Sequence, residues 1–277
     1  MKQSRIGAVQ VAVGAIFWSF AGVLGKWLPW NAMVTNGARC LVAVILLGIA
    51  RGGFRVHLSK GNLLGAVSVM LTGIFFMGAV KLTTSANAIV LQYAAPAFVI
   101  LFCWLFYGQK PTKRDLLAAG LIMLGVTLCF ADKMGGGSLI GNILALLSAV
   151  TFALVFFCAR MPDTSASDYS FLGLIFCVPS LLFAFSDPAF STEPSCLLAA
   201  LALGVCLAGG YYFISAAMTR VSPVSAVLLS NLEPVLNPIW VVLFLPELGE
   251  VPRGLSLLGA AIVLITAAVY SVTGEKT

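Results

Sequence analysis

Charge is what this sequence has least of. Only 9% of its 277 residues are Asp, Glu, Lys or Arg, against about 25% in an ordinary soluble domain. Hydrophobic residues make up 60%, and the mean hydropathy is +1.04. A surface so poor in charge cannot be kept wet, so the chain reads as an integral membrane protein with lipid as its main solvent. Histidine is almost missing. His57 stands alone in the short basic stretch RGGFRVHLSK and reads as a solvated loop residue. No CxxC occurs, and the seven cysteines (Cys40, Cys103, Cys129, Cys158, Cys177, Cys196 and Cys206) mostly fall inside apolar runs. They read as small buried hydrophobes rather than disulfides or metal ligands, so neither a metal nor a cofactor is expected. No GxxxxGK[ST] motif is present, which argues against an ATP-driven pump. The net charge of +6 comes without a basic run interleaved with aromatics, so nucleic acid is not an expected partner. Scattered acids and a single histidine also argue against an enzyme.

Long apolar runs are what the chain has in plenty. Charge, Gly and Pro punctuate ten of them, at about 7–27, 31–50, 61–80, 86–107, 115–131, 138–159, 169–186, 196–218, 223–245 and 254–273. A spanning helix needs roughly 20 apolar residues and a barrel strand only about 9–11, so the expected class is all-α. The first run, Gly7 to Trp27, is longer than the roughly 7–15 residues of a signal peptide's apolar region, and it reads as a retained span. With the N-terminus in the cytoplasm, eleven basic residues lie inside: Lys2, Arg5, Arg51, Arg55, Lys60, Lys110, Lys113, Arg114, Arg160, Arg220 and Lys276. Four (Lys26, Lys81, Lys133 and Arg253) lie outside, and Arg39 falls within span two. The expectation is a multi-pass protein of the cell membrane with both termini cytoplasmic.

The two halves repeat. ANAIVLQYAAPAFVILFCWLFYGQ (86–109) aligns with VSAVLLSNLEPVLNPIWVVLFLPE (224–247), pairing Leu91 with Leu229, Pro96 with Pro234 and Gln109 with Glu247. Farther on, RDLLAAG (114–120) meets RGLSLLG (253–259). The division falls at 1–134 and 135–277, with five spans on each side. An odd number of spans per half sets the halves in opposite orientation. Inverted repeats of this kind mark secondary transporters, whose cargo site lies at mid-membrane between them.

The chain resembles the EamA-type ten-helix members of the drug/metabolite transporter superfamily. FWS (17–19), Arg39, ANAIVLQYAAP (86–96), LEPV (232–235) and Glu247 carry the likeness, which runs over essentially the whole chain. Gln109 departs from it, since such members usually carry a second Glu there. The resemblance implies ten transmembrane helices in a 5+5 inverted repeat and transport of small metabolites such as amino acids, amines or nucleosides.

Polar residues inside the spans mark the expected site. Leaving Glu233 charged near the midplane costs about 2.5–3.5 kcal/mol, and Pro234 and Pro238 beside it free backbone carbonyls that a cavity can use. Arg39 either closes a structural clasp with Glu233 or meets the cargo. Trp18, Asn36, Asn87, Gln92, Tyr93, Tyr211, Tyr212, Asn231 and Asn237 are candidates for the lining. Leu229, Glu233 and Asn237 fall at four-residue spacing, as do Gln92 and Pro96, so each set is expected on one helical face. Burial favours a neutral carboxyl, so Glu233 can carry protons between the two sides; ionised, it can balance an ammonium group on the cargo. The expected function is a secondary active transporter, an exporter of amino acids or amines, with protons as a candidate coupling ion. A facilitator or exchanger without proton coupling and a channel are the alternatives. A monomer suffices to enclose the pathway, and a dimer is compatible with it.

Overall fold

Helix starts follow polar caps. Asn31 Oδ1 accepts from the Met33 and Val34 amides, both at 2.9 Å, and opens α2, Ala32–Ala50. Ser59 caps α3, Lys60–Leu82, through the Asn62 amide at 3.0 Å. Thr112 and Asp115 form a reciprocal capping box on α6, Lys113–Phe130. In the computed structural model the described residues are 2–20, 24, 27–83, 85–131, 138–244 and 254–273. The other helices are α1 (Lys2–Ser19), α4 (Ser85–Gln92), α5 (Ala95–Tyr107), α7 (Leu139–Cys158), α8 (Ala166–Cys177), α9 (Pro194–Ala217), α10 (Pro223–Ser230), α11 (Glu233–Phe244) and α12 (Gly254–Thr273). A 3-10 helix, Val178–Ser186, continues α8. Among the described residues there is no strand. Among the described residues, six segments are long and apolar enough to cross a membrane: 32–50, 60–79, 87–107, 139–158, 166–186 and 194–217. Shorter apolar helices cover 223–236 and 257–270.

Among the described residues, turns interrupt two spans. A turn at Tyr93–Ala94 separates α4 from α5, and a turn at Asn231–Leu232 separates α10 from α11. Proline is the second residue after each turn, Pro96 and Pro234, where its missing amide is tolerated. The bounds correspond: Ser85, Gln92 and Ala95 of the first half sit 138 residues before Pro223, Ser230 and Glu233. The expected single faces through Leu229 and Glu233, and through Gln92 and Pro96, are therefore corrected. Each pair straddles a turn and belongs to two different helices.

The seventh span also departs from expectation. It was expected as one helix over 169–186. Instead α8 ends at Cys177, because Pro179 has no amide for the Ile175 carbonyl and the Val178 amide takes that carbonyl in a tighter bond.

Packing is reciprocal between the halves. α3 lies on α7 and α8, while α9 lies on α1 and α2, and α6 pairs with α12. Glycines let backbones approach. A Cβ on Gly14 of α1 would stand 2.6 Å from Ile214 Cγ1 of α9, and one on Gly173 of α8 would stand 2.6 Å from Ala66 O of α3. Small residues at crossings are how helices associate in lipid, where burial gives no hydrophobic drive. Hydroxyls add cross-links: Thr72 Oγ1 bonds Thr151 Oγ1 at 3.0 Å, and the Tyr169 hydroxyl donates to Val155 O at 2.6 Å. Outward positions are apolar, as at Leu105, Phe106 and Leu198.

The two ends of the bundle differ. At the end carrying Arg51 and Arg220, Arg51 pairs with Asp168 and donates to Ser167 Oγ at 2.7 Å. Fully buried Asn62 ties the two neighbouring loops, donating to His57 O and accepting from the Ser165 amide, both at 2.8 Å. At the opposite end the 3-10 helix lies across α2. There Ser180 Oγ donates to Met33 O at 3.0 Å, the Asn31 amide donates to Asp187 Oδ2 at 2.6 Å, and Trp30 Nε1 donates to Ser191 O at 3.1 Å.

Candidate functional site

Glu233 is the first residue of α11 and half-buried. A helix start favours a carboxylate, since the unpaired amides there carry partial positive charge. Tyr93, from the turn of the other interrupted span, and Arg39 of α2 stand within electrostatic reach of its carboxyl. The two opposite charges do not meet as an ion pair; among the described residues the ion pairs are Arg51–Asp168 and His57–Asp163. Arg39 is instead held by its own helix. Its Nε and Nη2 donate to Asn36 Oδ1 at 3.2 and 2.9 Å, which fixes the guanidinium on the inner side of α2. The permanent Arg39–Glu233 clasp is therefore not what the structure shows.

Aromatic rings complete this set. Trp18 of α1 is 8% exposed and meets Tyr211 of α9 edge-on, with ring centroids 5.2 Å apart. Gly210 makes room for it, because a Cβ there would run into the indole Nε1 and Cδ1. Tyr211 stands within electrostatic reach of both Arg39 and Glu233. α11 is tied to α1 by Trp240 Nε1, which donates to Ser19 Oγ at 2.7 Å, and by the stack of Phe20 on Trp240 at 4.5 Å. Three buried polar atoms of the region have no hydrogen-bond partner: Trp18 Nε1, Asn36 Nδ2 and Asn231 Oδ1. Such atoms are rare in folded proteins and commonly await a ligand or water.

A cavity of about 450 Å³ opens at the end that carries Arg51. Tyr211 is part of its wall. Hydroxyls line it densely, with Thr164 and Ser165 just before α8, Ser167 and Ser170 from its start and Ser215 from α9. The size falls in the range of about 300–1,000 Å³ typical of small-molecule pockets. Tyr211 is common to this cavity and to the ring contact with Trp18.

The other expected residues are placed as follows. Asn231 is fully buried in the second turn, two residues before Glu233. Tyr212 is half exposed on the cavity wall, so its neighbour Tyr211 is the one that meets Trp18. Gln92, the last residue of α4, is half-buried and has no hydrogen bond to this set. Asn87 belongs elsewhere, in a knot with Thr83 Oγ1 at 3.3 Å, which in turn bonds Asn142 Oδ1 at 2.8 Å. The side chain of Asn237 and the whole of Glu247 lie outside the described residues. The hydroxyls of 164–170 were missed in the sequence, because TSASDYS reads as a polar link between spans.

The profile of the EamA-like transporter family matches residues 5–131 and again 139–272, once in each half. The chain belongs to the EamA-like transporter family. A solved crystal structure at 20% identity matches with a TM-score of 0.79, over 96% of this chain and 98% of that one, and shows that the fold is shared. No curated protein sequence matches significantly. An EamA-like chain is a membrane transporter rather than an enzyme.

Proposed function

We propose that this family member is a secondary active transporter that exports small metabolites with an ammonium group, amino acids or amines, by alternating access. The observation that carries this is that Arg39 and Glu233 stand within electrostatic reach of each other without forming an ion pair, and that Tyr211, which meets Trp18 edge-on, lies within reach of both. Opposite charges at mid-membrane gain most by pairing directly or through a ligand that bridges them. Here Asn36 holds the guanidinium back, so a zwitterion fits between: its carboxylate on Arg39 and Asn36 Nδ2, its ammonium on Glu233. A plain amine uses the acid alone.

The halves 1–134 and 135–277 act as inverted five-span repeats in a ten-span bundle. The correspondence of helix bounds at a spacing of 138 and the two-part family match support that reading. With the basic end cytoplasmic and both termini inside, the Tyr211 cavity is the inner half of the pathway, and the 3-10 helix across α2 seals the outer half. Cargo enters from the cytoplasm, reaches Glu233, and leaves when the halves rock. One chain encloses this path.

The test is a thermal-shift panel of amino acids and amines on purified protein, followed by counterflow in liposomes with the stabilising compound. A ligand of the folded state raises Tm. Glu233→Gln is expected to weaken that compound by roughly 10–100-fold, as loss of a charge-assisted bond of about 1.5–3 kcal/mol implies. Unchanged affinity and flux in Glu233→Gln would contradict the assignment.

A further inference from the structure

The interruption between α10 and α11 collects oxygen acceptors and few donors. Asn231 is fully buried, and its amide nitrogen donates to Val227 O at 2.5 Å. That carbonyl can only accept, so the amide orientation is chemically forced and Oδ1 must face the other way. It finds no partner there. One residue earlier, Ser230 is also fully buried, and its hydroxyl donates to the same Val227 O at 2.9 Å. Its carbonyl would bond the amide of residue 234 in a continuous helix, but Pro234 has none. The Leu232 amide turns to Leu229 O at 3.3 Å, one residue short of its helical partner Leu228 O. The C-terminal end of α10 adds partial negative charge at this point. Glu233 supplies a carboxylate two residues on. The Tyr93 ring from the other interruption is a neighbour of that carboxyl.

A buried surplus of acceptors is costly until a cation fills it. We infer that this turn binds a dehydrated alkali cation, Na⁺, through Asn231 Oδ1, the Ser230 carbonyl and the Glu233 carboxylate. One carboxylate balances one positive charge. A divalent ion would need a richer acidic set, and no group of three metal-ligating side chains occurs among the described residues. Soft ligands are absent from the turn, so a hard cation is selected. Burial separates the ion from the cargo. Asn231 and Ser230 are sealed at 0% exposure whereas Glu233 is half-buried, so the ion lies behind the acid and the cargo's ammonium in front of it. On the transporter reading above, the ion is the coupling partner: it fixes α10 against α11 and completes the acid for cargo. The first-half turn offers Tyr93 and Ala95 at the matching positions, so it has neither oxygen and binds no ion.

The experiment uses the purified full chain in detergent. Tm is recorded in NaCl and in N-methylglucamine chloride at equal ionic strength, beside direct binding of ²²Na⁺, with no cargo present. The expected result is a saturable Tm rise in Na⁺ alone, and equimolar ²²Na⁺ binding that Asn231→Val and Glu233→Gln each reduce at least tenfold. Methylammonium, a probe for the cargo's ammonium, is expected to leave bound ²²Na⁺ in place. Absence of both the Tm rise and ²²Na⁺ binding in the unaltered protein overturns the proposal whatever the variants do. Displacement of ²²Na⁺ by methylammonium at similar concentration also overturns it and gives the site to cargo. Cargo counterflow that persists without Na⁺ sinks the coupling role and leaves the transporter reading standing. Loss of counterflow in every medium sinks the transporter reading and leaves the ion site to its own binding data.

Discussion

The two helix interruptions share a backbone and differ in chemistry. In the first, Gln92, Tyr93, Ala94, Ala95 and Pro96 pass from α4 to α5; in the second, Ser230, Asn231, Leu232, Glu233 and Pro234 pass from α10 to α11. Both turn over the same two residues and restart ahead of a proline. Yet the first presents a tyrosine within electrostatic reach of the carboxyl of the second, while the second presents an acid and an unsatisfied amide oxygen. Shape repeats while charge does not. Helix ends follow from prolines and apolar length, which both halves kept. The acid is a local difference between otherwise corresponding turns, Glu233 against Ala95.

The largest effect expected from breaking this asymmetry is Ala95→Glu. Ala95 is fully buried against Val99 and the central aromatic core. A carboxylate there costs about 2.5–3.5 kcal/mol or more, so Tm should fall by several degrees and folded yield should drop. Full stability, with transport restored to a Glu233→Ala background, would show the two turns to be interchangeable. Next comes Gly210→Ala. The added methyl meets the Trp18 indole, and overpacking of this kind costs about 1–3 kcal/mol. Trp18 must leave Tyr211, so lower Tm and blunted cargo stabilisation are both expected in a thermal melt. A smaller effect follows Tyr93→Phe. It removes the hydroxyl beside Glu233, a contribution of about 0.5–1.5 kcal/mol, and should weaken cargo roughly three- to tenfold in the same assay while leaving the fold intact.

The smallest effect sits at the basic end. The exposed His57 ring lies 2.9 Å from Asp163 Oδ2, and that carboxylate raises the histidine above its ordinary value of 6.5. A group raised on folding stabilises fully below its unfolded value and loses that contribution as pH climbs through the folded one. Tm measured against pH should therefore decline slightly above 6.5, and Asp163→Asn should flatten the slope. The pair is solvent-exposed, so the change is small. A steep fall that survives Asp163→Asn would point to another group.

Much of the architecture was legible in the residues. The expected span 86–107 is α4 with α5, at 85–107, and the expected 223–245 is α10 with α11, at 223–244 among the described residues. Apolar length and flanking charge set those limits. The exact turns were less legible, since proline inside a lipid-spanning helix can kink it at any of several neighbouring residues. Pro179 has the same ambiguity, and there the chain tightened into a 3-10 helix instead of turning. At the site, Glu233 and Arg39 stand out in the sequence as charges inside apolar spans, whereas the contact of Trp18 with Tyr211 has no such mark. The choice between Tyr211 and Tyr212 was not legible. Adjacent helical residues point about 100° apart, and α9 is apolar nearly all round, so no periodic stripe shows which face turns inward.

The claim at the centre is that cargo lies between the guanidinium of α2 and the carboxyl that opens α11. A structure determined with the compound that most raises Tm tests this most directly. The account predicts ligand density bridging Arg39 and Glu233, flanked by the rings of Trp18 and Tyr211. Density confined to the outer face of the bundle, or a Glu233 carboxyl turned to the acyl chains, would contradict it.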